Sequence, residues 1–100
     1  MNWLFAFLLT VAIELPIVVA WAPRDRRRRI AVDAFAANLL THSAAWYLVR
    51  SLAAPWLLVE IGVAAVEALV YRGVSRLTWS RALAASCCAN GVTAALSFVF

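Results

Sequence analysis

Lysine is absent from this chain, which leaves no residue for a retinal Schiff base or a lysine nucleophile. Glutamine is absent too, and there is one histidine, His42, so no second imidazole can complete a bis-histidine haem site within the chain. Cysteine is confined to the adjacent pair Cys87 and Cys88 inside an apolar run. Adjacent thiols do not match the spacing of a zinc site or a redox dithiol, and we read them as filling space between helices. The three glycines are scattered, so there is no glycine-rich phosphate loop. Neither an HExxH motif nor a Ser-His-Asp arrangement occurs. Ser43 follows His42, but neighbouring helix residues point about 100° apart and cannot form a dyad.

What is present is apolar. Hydrophobic residues make up 66% of the 100 residues and charged residues 14%, and the mean hydropathy is +0.88. A single soluble domain of this size cannot bury that much apolar surface, whereas lipid can solvate it. The expectation is therefore an all-α integral membrane domain over 1–100, with four antiparallel spans in a bundle at about 3–22, 30–49, 54–71 and 82–100. Each run is long enough to cross about 30 Å of hydrocarbon. Ala20-Trp21-Ala22 resembles a signal-peptide cleavage site, but no positive charge precedes the run, Glu14 interrupts it, and five arginines follow Pro23. We read it as a retained span. Pro16 releases the carbonyl of Ala12 and predicts a kink.

The connection 23–29 reads PRDRRRR. Arginine runs can bind nucleic acid; between two spans they hold a loop in the cytoplasm, with Arg24, Arg26, Arg27, Arg28 and Arg29 touching anionic headgroups. Eight of the nine arginines fall in the connections after the first and third segments, which puts both termini on the non-cytoplasmic side, in a bacterial inner membrane. The five tryptophans, with Tyr47 and Tyr71, lie near segment ends, as interfacial belts do. Asp33 is expected in the first turn of the second helix, Pro55 at the first position of the third, and Gly73 as its C-cap. Thr78 or Ser80 can cap the fourth.

Inside these runs sit groups that hydrocarbon does not tolerate. Glu60 and Glu67 are seven residues apart, two helical turns, so they share a face. Asn38 and His42 share one by i, i+4, and Ser86, Asn90, Thr93 and Ser97 form a stripe. At about 1.5 Å per residue, Glu14, Asn38 and Asn90 form one polar layer and His42, Glu60 and Thr93 another, with Glu67 and Ser86 nearer the arginine end. Ionisable groups within a span face a bundle interior and mark ion or proton paths. Three chemistries fit this core. It can bind or move protons or a small cation, with His42 as relay. It can hold a metal ion on His42, Glu60, Glu67 and Glu14 as an intramembrane metal-dependent enzyme, though no Glu-x-x-His pair is present. Or His42 can be an axial ligand to a tetrapyrrole in a larger complex. Asn38, Asn90, Thr93 and Ser86 support the core as hydrogen-bonding glue between helices. Four helices enclose little space, so a homo-oligomer is expected, or the alternative role of a structural accessory subunit in an energy-transducing or pigment-binding assembly. The sharpest expectation is a direct pairing of His42 with Glu60, which should meet at one depth across the second and third helices.

The size, the four spans and the acid in the middle of the first segment resemble the small multidrug resistance transporters. That resemblance implies proton-for-cation exchange at Glu14. The chain differs in lacking a glycine-rich third helix and in carrying two acids there. The set Glu14-x-Pro16, Asn38-x-x-Thr41-His42, Glu60 with Glu67, and Asn90 with Ser97 also resembles small four-helix bacterial membrane proteins, a similarity that implies the architecture and no activity.

Overall fold

The computed structural model describes residues 2–96; Ser97 and the end of the fourth segment lie outside them. Among the described residues there are four α-helices and no strand: α1 Trp3–Ala20, α2 Arg27–Ser51, α3 Trp56–Gly73 and α4 Trp79–Leu96. The Asn2 side chain starts α1 by accepting from the Phe5 amide at 2.7 Å, the role of a short polar residue at an N-cap. Pro16 sits inside α1 without ending it.

A single turn of 3-10 helix, Arg24–Arg26, leads directly into α2, so α2 begins three residues earlier than the apolar run suggests. Arginine is a good helix former and prolongs the helix beyond its apolar part. Asp33 therefore lies in the second turn and not the first. Pro55 is the residue before α3 and not its first member, and Gly73 lies within α3. Left-handed backbone falls instead on Ala53 (φ 54°) and Arg76 (φ 60°). Each is followed by an amide that reaches back six residues, Ala54 N to Leu48 O and Leu77 N to Tyr71 O, both at 2.9 Å. The same wide helix ending is thus used twice without glycine. Thr78 Oγ1 accepts from the Arg81 amide at 3.3 Å at the start of α4.

Each helix packs on its sequence neighbours, and α1 also packs on α4. The result is an up-down-up-down ring 39 Å long and about 20 Å across. The connections 21–26 and 74–78 meet at one end, because Arg26 bonds the carbonyls of Ser75 and Arg76. Below them lies the apolar core of Val18, Ile30, Ala34, Tyr71, Leu77, Ala82, Ala85 and Ala89. Alanine dominates it, which lets the helices approach closely. Tyr71 is fully buried there, so the interfacial place expected for it is corrected.

Two acids are buried while many large apolar side chains are exposed. Glu14 is 2% and Glu67 0% exposed, while Leu40 is 73% and Leu58 65% exposed. By length and composition, one described helix, Trp3–Ala20, is apolar enough to cross a membrane. The others carry acids, arginines or small polar residues within their lengths, which lowers their averaged hydropathy whichever way those groups point.

Candidate functional site

Glu67, on α3, is held from both sides. Its Oε2 lies 2.8 Å from the Thr41 hydroxyl of α2, and its Oε1 accepts from Asn90 Nδ2 of α4 at 2.7 Å. Asn90 uses its second donor on the Ser86 carbonyl at 2.9 Å, and the Ser86 hydroxyl donates to the Ala64 carbonyl of α3. One buried acid therefore ties three helices together. Thr41 is the member of this group that sequence reasoning left out of the site. The signal was available, since Thr41 is three residues beyond Asn38 and shares its face.

Glu14, on α1, repeats half of this arrangement. Its Oε2 lies 2.8 Å from the Thr93 hydroxyl of α4, while its Oε1 is buried with no hydrogen-bond partner among the described residues. In both pairs the threonine hydroxyl also faces its own i−4 carbonyl, Ala37 O at 2.9 Å for Thr41 and Ala89 O at 3.0 Å for Thr93. A hydroxyl has one proton to give and lone pairs to receive another. If the carboxyl is ionised, the hydroxyl donates to it. If the carboxyl is protonated, it donates to the hydroxyl, which turns its own proton to the carbonyl. Each glutamate–threonine hydrogen bond can thus persist in either protonation state.

A cavity of about 480 Å³ runs from this layer towards the α2–α3 turn. Glu14, Asn38, Thr41, His42, Glu60, Asn90 and Thr93 line it, with Trp46, Arg50 and Trp56 also on its wall. The Arg50 guanidinium stacks 4.4 Å over the Trp46 ring. Asn38 donates to the Ala34 carbonyl of its own helix at 2.9 Å. Glu60 is half-buried.

Among the described residues, no hydrogen bond or ion pair joins His42 to Glu60. Both line the cavity, but the imidazole lies among Trp3 and Phe7 of α1, both at 5.7 Å, and Trp46 at 5.9 Å, and its Nε2 is buried without a partner. Aromatic packing from α1, invisible in a pairwise reading of α2 and α3, sets the ring's place. Nor do His42, Glu60, Glu67 and Glu14 gather as a ligand set. Among the described residues, no three His, Cys, Asp or Glu side chains converge as metal ligands do.

At the opposite end, Arg26 is engaged within the chain. Its guanidinium donates to Ser75 O at 3.2 Å and Arg76 O at 2.9 Å, so it clamps two loops together. Arg24, Arg27, Arg28 and Arg29 are exposed. Asp33 accepts from the Ser75 hydroxyl at 2.9 Å and faces Arg29 Nε at 3.6 Å. Comparison of the chain with protein-family models, curated proteins and solved structures finds no match, and function must be read from this geometry.

Proposed function

We propose that this chain is a four-span membrane protein whose cavity binds a proton or a small cation at Glu14, with Glu60 on the wall of the approach. The observation that carries this is the unpartnered Oε1 of Glu14, buried in a side chain that lines the cavity. A buried polar atom without a partner costs about 1–3 kcal/mol; a bound cation offsets that cost, and a bound proton removes the larger cost of burying an ionised carboxyl. Glu67, with both oxygens occupied, is the structural member of the pair.

The membrane reading draws support from the surface. Among the described residues, twenty-one large apolar side chains are exposed. Fully burying such a side chain is worth about 1.5–3 kcal/mol, so water is a poor solvent for this outer face and lipid a good one. Eight arginines at one end, against Asp25 and Asp33, favour that end on the cytoplasmic side.

The test is flux. Purified protein in vesicles loaded with a pH-sensitive dye is given an acid jump, or a sodium jump at constant pH. Wild type should equilibrate at least tenfold faster than Glu14→Gln in one of the two. Rates equal to those of empty vesicles in both, with no ion-dependent change in stability, would sink the proposal.

A second reading, assembly with another membrane helix, rests on a separate observation. Cys87, Gly91 and Ala95 are exposed at i, i+4 and i+8 on α4, and a Cβ added at Gly91 meets nothing within 4 Å. Small residues in such a row let a second helix approach closely. This favours a homo-oligomer or an accessory subunit over an isolated monomer.

A further inference from the structure

We infer that the crevice between the two arginine-bearing connections is a binding site for a phosphate group. The inference is independent of the cavity at the other end. The crevice has a volume of about 310 Å³ and is lined by Arg26, Arg29, Val74, Ser75 and Arg76. Three arginines, one from the 21–26 connection, one from the first turn of α2 and one from the 74–78 connection, therefore border one space.

The walls are held in place. Arg26 donates to the carbonyls of Ser75 and Arg76, the Ser75 amide bonds Val70 O at 3.1 Å, and the Leu77 amide bonds Tyr71 O at 2.9 Å. The Ser75 hydroxyl is fixed on Asp33. Arg76 adopts a left-handed φ of 60°, a conformation strained for a non-glycine residue. Glycine would hold the same turn more cheaply and would bring no charge.

Charge is left over after these contacts. Carbonyl groups orient the Arg26 guanidinium without neutralising it. The carboxylate that reaches this cluster, Asp33, is shared between Ser75 and Arg29. Arg29 keeps 67% of its side chain exposed even so, and Arg76 is exposed. Guanidinium groups bind phosphate oxygens in bidentate fashion, with charge-assisted hydrogen bonds about twice as strong as neutral ones. The start of α2, which has no capping side chain, adds a favourable dipole beside them. The matching ligand is a phosphate monoester or diester, carried by an anionic lipid headgroup or by a small soluble phosphate.

The experiment compares four charge-matched variants of the full chain. Arg29→Gln and Arg76→Gln remove exposed crevice side chains and leave the Arg26 clamp intact; Arg24→Gln and Arg81→Gln remove exposed arginines elsewhere at the same end. Each is placed in phosphatidylcholine nanodiscs, and thermal stability is followed by tryptophan fluorescence in two titrations. One adds inorganic phosphate to the buffer. The other raises the content of phosphatidic acid in the disc. We expect saturable stabilisation whose half-point moves at least fivefold in the two crevice variants and less than twofold in the two controls. That pattern with phosphatidic acid alone assigns a lipid headgroup; the pattern with both ligands assigns the phosphate group itself, lipid-borne or free; with inorganic phosphate alone it assigns a soluble ligand. Equal weakening in all four variants means diffuse attraction to negative charge and overturns the site. So does the absence of stabilisation by either ligand.

Discussion

Replacing Glu67 by glutamine and by alanine separates the two ways a buried acid can hold this bundle. Glutamine presents one acceptor and one donor group at the carboxyl position. Its oxygen can accept from Asn90 Nδ2, and its amide can donate to the Thr41 hydroxyl, which then gives its proton to the Ala37 carbonyl already 2.9 Å away. Thr41 and Asn90 keep their partners and one amide proton is left unpaired, so the change should cost about 1 kcal/mol. Alanine loses both interhelical hydrogen bonds, about 0.6 kcal/mol each on average within membranes. It also leaves unfilled volume in a closely packed layer, worth a further 1–2 kcal/mol or so. Thr41 and Asn90 retain fallback acceptors in Ala37 O and Ser86 O, which keeps the total near 2–3 kcal/mol. Equilibrium unfolding in bicelles, by steric trapping or detergent titration, resolves that difference, since 1.4 kcal/mol is tenfold in the constant. If Glu67→Gln proves as damaging as Glu67→Ala, the bundle requires an ionised carboxylate, and the hydroxyl-switch account of Thr41 is wrong. An alanine variant within 0.5 kcal/mol or so of wild type would show that the three-helix tie carries little energy.

Three further outcomes follow from particular contacts. Ala53→Gly removes a side chain from a left-handed position and should raise stability by up to about 1 kcal/mol in the same unfolding assay, whereas Ala53→Val should lower it. His42→Phe keeps a ring among Trp3, Phe7 and Trp46 and deletes the unpartnered Nε2 along with a hydrogen bond to the Trp3 backbone, so it should cost about 1 kcal/mol or less; His42→Ala should cost about 2–3 kcal/mol, and equal damage from both would give the imidazole nitrogens a role of their own. Gly91→Leu should leave the monomer's unfolding unchanged but abolish disulfide cross-linking between copies through Cys87, which is exposed on the same face; cross-linking that survives would place the interface elsewhere.

The all-α character, the order of the four helices and the gathering of arginine at two connections were legible in the sequence. Each depends on local information: the length of an apolar run, the breaks at Pro23 and Pro55, and the residues that flank them. Periodicity also identified which side chains share a face on one helix, because 3.6 residues per turn is a property of the backbone. It could not say how far one helix is rotated or shifted against the next. That is set by side-chain packing, and it decided that Glu67 meets Thr41 and Asn90, that Glu14 meets Thr93 and keeps one oxygen unpartnered, and that His42 turns among aromatic rings of α1 and forms no hydrogen bond or ion pair with Glu60. The clamp of Arg26 on the 74–78 connection and the left-handed turns at Ala53 and Arg76 were equally hidden. A guanidinium six or seven bonds from its backbone finds its acceptors in three dimensions, and a non-glycine residue accepts positive φ only where the surrounding hydrogen bonds hold it there.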